Sequence, residues 1–279
     1  MCEFCVKHGE GKKWYLNAKN YSDDLLIDIK RHKFTEDFFY WISGMYNSYY
    51  GILKSLPFRS PVLGKILNWS LKRYFLYKHW GQVIPIEDVQ KILNITNSIT
   101  RIPCICRMTT TGKESRVCFL LSINPEKVRP IDIVDKSFFK GPDVSRFEAV
   151  GREWTINFMK EQESKGSIHT IWSFNAPFVA ALCNCAFSKG CIAMMMYKKI
   201  APVMFRAEYI AFVNTALCIG CQECKKICQF NAVKIDKASK KASIDIKKCY
   251  GCGVCRSVCK NKSISLKDRY SEAAAANLW

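Results

Sequence analysis

Two runs of four cysteines near the C-terminus restrict the possible folds of this chain more than any other feature. Both follow the pattern C-x2-C-x2-C-x3-C, and each cysteine of the second run lies 31 positions after its counterpart. The runs are Cys218, Cys221, Cys224 and Cys228, then Cys249, Cys252, Cys255 and Cys259. A zinc site joins two separated C-x2-C pairs, so it leaves the third and fourth cysteines of each run unexplained. We also disfavour disulfides, because we expect no secretory signal and intracellular thiols stay reduced.

The duplicated runs resemble those of bacterial two-cluster ferredoxins, which hold two [4Fe–4S] clusters. The resemblance spans residues 206–267 and implies one-electron transfer at low potential. In this pattern three thiolates on a tight loop reach one cluster, and the fourth, one helical step further on, reaches the other. The implied ligand sets are Cys218, Cys221, Cys224 and Cys259 for one cluster, and Cys249, Cys252, Cys255 and Cys228 for the second.

The residue after each fourth cysteine departs from the ferredoxin pattern. The usual run ends in Cys-Pro, whereas here Gln229 follows Cys228 and Lys260 follows Cys259. Proline fixes φ and lacks a backbone donor. Its replacement leaves the ligands intact, and we expect it to change the loop geometry and the cluster potential.

The sequence between and around the runs predicts the strands and turns of a duplicated ferredoxin unit over residues 206–269. Alternating apolar residues predict strands at 208–214 and 264–266, and a Lys-rich turn joins two further strands at 233–236 and 242–246 into a hairpin. Short helical turns at 223–228 and 254–259 each carry a fourth thiolate.

The remaining length requires a second domain, residues 1–205. An apolar content of 49% argues against disorder, and this length can build its own core. We predict an α+β domain with a helical N-terminal part. The predicted helices are 38–53, 62–80, 86–95 and 152–165, and the strands are 116–123 and 168–172. We interpret the first two helices as core helices, with an amphipathic surface against a membrane or a partner subunit as the alternative.

Two C-x-C pairs form a second cysteine constellation within residues 1–205. In an extended chain, residues two apart point to the same face, roughly 6–7 Å apart, so two pairs can present four thiolates to one metal centre. The candidate ligands are Cys104, Cys106, Cys183, Cys185 and Cys191. Cys118 is a sixth candidate, but its apolar surroundings favour a small buried hydrophobe.

A second resemblance covers much of residues 80–268. The segments I-P-C-I-C-R at 102–107, H-T-I-W at 169–172 and L-C-N-C-A at 182–186 resemble a motif set of anaerobe iron–sulfur proteins. In those proteins a C-x-C-R and a C-N-C segment precede a dicluster ferredoxin. The resemblance implies at least one further iron–sulfur cluster in the N-terminal domain. The extra cysteines that often follow C-N-C are absent here, so the ligand set and cluster type stay open, with zinc as an alternative.

Four further residues carry weaker signals. Arg107 is a candidate donor to a cluster sulfide, with a surface salt bridge as the alternative, and His169 is interpreted as structural. Cys2 and Cys5 are weak candidates for metal ligands, and the alternative is two unbound thiols at a mobile terminus. Residues 270–279, with four alanines in a row, are interpreted as a cloning remnant without function.

The charge of the chain suggests an acidic partner. The formal net charge is +19, and residues 206–269 hold 14 Lys and Arg against 5 Asp and Glu. We expect a surface of this charge to attract an acidic redox partner protein or oxidoreductase subunits. Nucleic acid is disfavoured because the chain carries no recognised nucleic-acid-binding signature. No segment has the apolar length of a spanning helix, so we predict a cytoplasmic protein and leave open peripheral contact with the inner face of the membrane.

These observations predict a multi-cluster ferredoxin that serves as a subunit or dedicated partner of an anaerobic oxidoreductase. The alternative is an oxidoreductase whose N-terminal iron–sulfur centre binds and reduces a substrate, fed by the ferredoxin domain. A third class is a basic cluster protein that binds nucleic acid or membrane and in which the iron is structural or sensory. The sequence shows no phosphate loop and no dinucleotide fingerprint, and catalytic residues stay unassigned.

Overall fold

The computed structural model describes residues 11–22, 25, 33, 37, 60, 62–78, 80–123, 148–173, 178–199, 203–276 and 278. Over these residues the chain has a mixed α/β architecture, as the sequence predicts at that level. The predicted helix at 38–53 and the cysteines Cys2 and Cys5 lie outside the described residues. No helix in the described ranges combines the length and the apolar composition needed to cross a bilayer.

A seven-stranded sheet organises the described part of the chain before residue 206. Its strands are β1 (Gly81–Ile84), β2 (Ser98–Ile102), β3 (Cys118–Ser122), β4 (Glu148–Ala149), β5 (Ile168–Ser173), β6 (Val179–Cys185) and β7 (Met204–Phe205). Their order across the sheet is β4-β2-β3-β6-β5-β1-β7. Neighbours pair antiparallel except β1 and β7, which are parallel.

Five α-helices with described bounds accompany this sheet. They are α1 (Leu63–Lys78), α2 (Ile86–Ile95), α3 (Ile105–Thr111), α4 (Arg152–Ser164) and α5 (Ile192–Lys199). Helix α2 follows Pro85 and places Glu87 and Asp88 in its first turn, where negative charge favours the helix dipole. Its buried residues Val89, Ile92 and Leu93 recur at the spacing that puts side chains on one helical face.

The two faces of the sheet have different roles. On one face, Leu182 packs in a core cluster with Val89 and Leu93 of α2 and Met159 of α4. Because side chains alternate along a strand, Cys183, next to Leu182 on β6, points to the opposite face. The cysteines of the sheet therefore lie on the face away from α2 and α4.

The ferredoxin unit follows the sheet and has the elements that the sequence predicts. They are β8 (Tyr209–Val213), α6 (Glu223–Ile227), β9 (Val233–Ile235), β10 (Ala242–Ile244), α7 (Val254–Ser257) and β11 (Ile264–Asp268). Strands β8 and β11 pair antiparallel, and β9 and β10 form the predicted hairpin. Each short helix follows a cysteine loop, so the duplication in sequence is also a duplication in structure.

Polar contacts hold the ferredoxin unit against the first domain. Arg256 pairs with Glu87 at 2.6 Å, and the Tyr209 hydroxyl donates to Asp88 at 3.0 Å. Gln82 on β1 donates to Glu208 at 3.0 Å. The carboxylate of Glu208 also lies 3.2 Å from Arg269, and both side chains are almost fully buried. The two parts of the chain thus share a buried, specific interface.

One interpretation made from the sequence differs from the structure, and the C-terminal tail makes contacts that the sequence did not predict. Helix α1 forms within the predicted range, but its apolar side chains Leu63, Ile66 and Trp69 are exposed, so it is not the core helix we expected. At the C-terminus, residues 273–276 form a short helix, α8 (Ala273–Ala276), in which Ala275 is buried. Arg269 also donates to the Leu278 carbonyl. The tail therefore packs on the ferredoxin unit, and its origin as a cloning remnant stays a prediction.

Candidate metal centres

The first predicted cysteine quartet lines one cavity. Cys218, Cys221, Cys224 and Cys259 all border it, although Cys259 lies in the other run. The backbone N–H of Ala242 donates to Cys218 Sγ at 3.5 Å, and this bond is the largest cause of the lowered pKa of that thiol. Cys259 Sγ lies 3.1 Å from the Ser263 hydroxyl. Both hydrogen bonds are of the kind that stabilises a sulfur carrying negative charge.

The second predicted quartet lines a separate cavity. Its cysteines are Cys228, Cys249, Cys252 and Cys255. Backbone N–H groups of Ala232 and Gly251 donate to Cys228 Sγ and Cys249 Sγ, each at 3.4 Å. Burial raises the pKa of Cys252 and Cys255. Buried thiols resist ionisation unless a cation compensates the charge, and iron supplies that compensation in a cluster.

Gly251 shows how closely the second ligand loop approaches the sheet. Its φ is +67°, and a Cβ there would come within 2.0 Å of the Tyr209 carbonyl oxygen. Only glycine has neither the steric penalty for positive φ nor a Cβ. The loop between Cys249 and Cys252 therefore lies against β8 in a conformation that fixes both thiols. Both quartets fit the groups that the sequence implies for them.

A third set of cysteines surrounds a larger cavity on the sheet. We call this set the six-thiol site, and it comprises Cys104, Cys106, Cys118, Cys183, Cys185 and Cys191. The cavity measures about 110 Å³, and all six cysteines line it. A single water needs roughly 10–15 Å³ of such space, so this cavity can hold several heavy atoms. The structure brings together all five N-terminal candidates from the sequence and adds one.

The six thiols lie close enough to perturb one another's pKa. The neighbouring pairs are Cys183 with Cys118, Cys118 with Cys104, Cys104 with Cys106, Cys106 with Cys191, and Cys191 with Cys185. Neighbouring thiols lower the pKa of Cys104 and of Cys191, and they raise the pKa of Cys106, which lies between those two. Adjacent thiols in the site therefore cannot all ionise independently. Within the described residues, no three His, Cys, Asp or Glu side chains are arranged for a single metal ion.

Cys118 is the ligand candidate that sequence reasoning undervalued. It is buried, as expected, but it pairs directly with Cys183 across β3 and β6. Directly opposed residues on adjacent strands point to the same face. The apolar residues around Cys118 did not indicate this role, because any strand inside a core has apolar neighbours, whether or not one of its residues binds a metal. The pairing of β3 with β6 indicates the role, and that pairing cannot be deduced from the sequence.

The first C-x-C pair is not extended, contrary to our expectation. Strand β2 ends at Ile102, Cys104 occupies the N-cap of α3, and Cys106 lies in its first turn. Pro103, between them and the strand, interrupts the ladder because it has no N–H to donate. The pair therefore converges on the cavity from a helix start, while Cys183 and Cys185 do so from strand β6.

Arg107 links the two C-x-C segments. Its guanidinium donates to the Asn184 carbonyl at 2.8 Å and to the Ser115 hydroxyl at 2.9 Å. The side chain is almost fully buried, which excludes the surface salt bridge considered from the sequence. A buried guanidinium stays charged, so it offers a fixed positive charge beside the six-thiol site.

Asn184 lies between Cys183 and Cys185, and its side chain makes hydrogen bonds on the face of β6 opposite to the two thiols. Its side-chain oxygen lies 2.9 Å from His169 Nδ1, and its amide nitrogen donates to the Val117 carbonyl at 2.9 Å. Burial lowers the pKa of His169 to about 4, so this imidazole is neutral at pH 7. His169 thus has the structural role we expected, and it fixes the strand that carries two thiols.

Gly190 sets the position of Cys191. Its φ is +78°, and a Cβ there would lie 2.3 Å from Thr110 Oγ1 on α3. Thr110 donates to the Gly190 carbonyl at 2.8 Å. The loop before Cys191 is therefore joined tightly to the helix that carries Cys106.

Comparison with known proteins identifies the C-terminal unit. Residues 217–263 match a family model described as a 4Fe-4S dicluster domain, and this range includes all eight cysteines of the two runs. No curated protein matches the chain. The match supports a C-terminal ferredoxin domain that binds iron–sulfur clusters and has an electron-transfer role.

Proposed function

We propose that this chain is a multi-cluster ferredoxin, with a third iron–sulfur cluster in the six-thiol site. We further propose that it works as a subunit or dedicated partner of an anaerobic oxidoreductase. One observation carries the proposal: six cysteines from four separate segments converge on one cavity beside a dicluster unit. When bound, the clusters would supply one-electron transfer.

The residues of the six-thiol site fit an iron–sulfur cluster. Six thiols exceed the four that a [4Fe–4S] cluster needs, so the site offers a complete set of ligands. Arg107 offsets part of the negative charge of the thiolates. The remaining cavity wall is largely apolar, with Ile102, Ile192 and Val203 among its members. Soft thiolate ligands in this number favour an iron–sulfur cluster over a metal ion that prefers oxygen ligands.

The ligands we propose for the C-terminal clusters are the crosswise quartets. Each quartet lines its own cavity, and each combines three cysteines of one run with the fourth of the other. For the third cluster we propose four ligands drawn from Cys104, Cys106, Cys118, Cys183, Cys185 and Cys191. Cys183 lies opposite Cys118 on β3 and opposite Thr170 on β5 in the sheet register, so strands on both sides fix its position.

The first quartet provides the contact surface for a partner. Cys221 is exposed, and its neighbours Leu217 and Ile219 expose 50% and 68% of their surface. Lys225 and Lys240 are exposed, and Lys240 borders the first-quartet cavity together with Ile219. Apolar contact surrounded by positive charge favours an acidic partner protein.

Rapid partner-dependent reoxidation tests this proposal. The anaerobically reduced protein is mixed with acidic ferredoxins, and cluster absorbance is followed by stopped flow. We expect reoxidation that slows as salt is raised, because screening weakens attraction between opposite surface charges. Reoxidation that ignores salt and partner charge would exclude the proposed surface.

A substrate-reducing enzyme is the second candidate function. The observation that favours it is that Trp80, Trp172 and Met196 line the same cavity as the six thiols. Apolar pockets with few polar groups are typical small-molecule sites. Turnover of a small reducible substrate without any partner protein would support this function, and its absence across such substrates would support the carrier.

The proposed location is the cytoplasm, with peripheral membrane contact. Thiol-rich cluster proteins need a reducing compartment. Helix α1 supports the contact because it exposes Leu63, Ile66 and Trp69 and carries Lys65 and Lys72. Co-sedimentation with anionic vesicles, compared with neutral ones, tests it directly.

A further inference from the structure

Gln229 stands where the ferredoxin pattern has proline, and it contacts the first domain through three hydrogen bonds. Its amide nitrogen donates to the Gly166 carbonyl at 2.5 Å and to the Cys185 carbonyl at 3.3 Å. The backbone N–H of Phe187 donates to its amide oxygen at 2.8 Å. Both polar atoms of this side chain are thus bonded across the interface, which proline cannot do because its ring carries neither donor nor acceptor.

These contacts connect two of the candidate centres by a short path. Gln229 directly follows Cys228 of the second quartet, and its side chain bonds the backbone of Cys185 in the six-thiol site. The path from one thiol-bearing residue to the other therefore consists of one peptide bond, one side chain and one hydrogen bond.

Packing supports the same connection. Cys228 and Cys252 of the second quartet pack against the hydrophobic cluster that contains Cys185 and Cys191. Cys218, Cys224 and Cys259 of the first quartet pack instead in a cluster confined to the ferredoxin unit. The second quartet is thus the one adjacent to the six-thiol site, and the first quartet is closer to the exposed tip around Ile219.

We infer that Gln229 is a positioning residue that sets the second quartet at a fixed separation from the six-thiol site. This inference rests on the proposed third cluster. The three centres then follow one another in order: the first quartet lies at the partner surface, the second quartet lies in the middle, and the six-thiol site lies farthest from that surface. The departure from Cys-Pro after Cys228 is then an adaptation to the attached domain.

Lys260 offers a matched control. It occupies the same place in the second run, 31 positions after Gln229, and it is exposed. A change at Lys260 alters the residue after a fourth cysteine without touching the bonds to Gly166, Cys185 and Phe187. Comparing the two positions separates positioning across the interface from an effect on the ligand loop itself.

The experiment compares Gln229→Leu, Gln229→Glu and Lys260→Leu in the full chain with its clusters. Leucine keeps the size of the side chain and removes all three bonds, while glutamate keeps only the acceptor for Phe187. Three quantities are measured: iron per chain, dipolar coupling between reduced centres by pulsed EPR, and the rate of internal electron equilibration after flash reduction. We expect unchanged iron, a broader coupling distribution and slower equilibration in Gln229→Leu, an intermediate result in Gln229→Glu, and wild-type behaviour in Lys260→Leu.

The outcomes separate this inference from the proposed function. Wild-type coupling and wild-type equilibration in Gln229→Leu, with iron unchanged, would overturn the positioning role and leave the third cluster standing. Equal effects in Gln229→Leu and Lys260→Leu would also overturn it, since the loop and not the interface would then be responsible. If the wild-type protein holds only the iron of two clusters, the proposed third cluster fails, and the positioning role fails with it.

Discussion

Cys118 and Cys183 face each other across two neighbouring antiparallel strands, β3 and β6. Cys104 lines the same cavity as Cys118, and the two thiols perturb each other's pKa, so this strand pair joins the first C-x-C segment to the second. Two motifs nearly eighty residues apart in sequence therefore meet through a residue that belongs to neither. The pairing of β3 with β6 therefore brings cysteines that are far apart in sequence into one site.

Replacement of Cys183 tests the independence of the six-thiol site. We expect Cys183→Ala to lose the third cluster and keep the other two, because no residue of either C-terminal quartet lines its cavity. Iron analysis and EPR of the reduced protein measure the result. Cys255→Ala is the matched control and should lose a C-terminal cluster instead. Loss of all clusters in Cys183→Ala would contradict the separation of the sites.

Gly190→Ala should destabilise the six-thiol site. Its positive φ strains any other residue, at a cost of about 1–3 kcal/mol, and its Cβ would also collide with Thr110. Gly112→Ala is the matched control, since Gly112 has a φ of +66° but nothing within 4 Å of its Cβ. Anaerobic urea unfolding measures both variants. Equal destabilisation of the two would show that the contact between Gly190 and Thr110 contributes nothing.

Glu163 should make the stability of the protein depend on pH. Burial raises the pKa of this carboxyl to about 7 from an ordinary 4.5, so the folded state binds its proton more tightly than the unfolded state does. Its favourable contribution is therefore complete below pH 4.5 and is lost as pH rises through 7. Between pH 5.5 and 8 the loss amounts to about 2 kcal/mol.

Glu163→Gln removes the titrating group and should flatten this dependence. Unfolding midpoints of the wild type and the variant, measured anaerobically at several pH values, give the difference directly. A difference that stays constant from pH 5.5 to 8 would mean that Glu163 titrates normally.

Charge reversal at the first quartet should slow the reaction with an acidic partner. Lys225→Glu and Lys240→Glu replace attraction with repulsion beside the exposed tip at Ile219, and steering effects of this kind change association rates by about tenfold or more at low salt. Stopped-flow reoxidation measures the rate. Lys113→Glu, an exposed position on the first domain, is the control, and an equal slowing there would indicate an effect of net charge alone.

The ferredoxin unit was predictable in detail because its information is local. The spacing within each run, the glycines of the ligand loops and the alternation around Tyr209 all act over a few residues. Its helices and strands therefore lie where the sequence predicts them. The family match over residues 217–263 agrees with the identification of this unit.

The six-thiol site was predictable only in part, since it depends on contacts between distant segments. The C-x-C pattern indicated four thiols, but it suggested two extended pairs, whereas Cys104 and Cys106 lie at a helix start. Cys118 was assigned to the core because its neighbours are apolar, and the strand register that exposes it to the cavity is a tertiary property. The exposed face of α1 was considered only as the alternative to a core helix for a related reason: periodicity identifies a helical face and does not reveal what covers it.

Iron and acid-labile sulfide per chain, determined on anaerobically purified protein, test the central claim most directly. Three [4Fe–4S] clusters predict about twelve iron and twelve sulfide per chain. A value of about eight of each, with no additional EPR signal on reduction, would contradict a cluster in the six-thiol site.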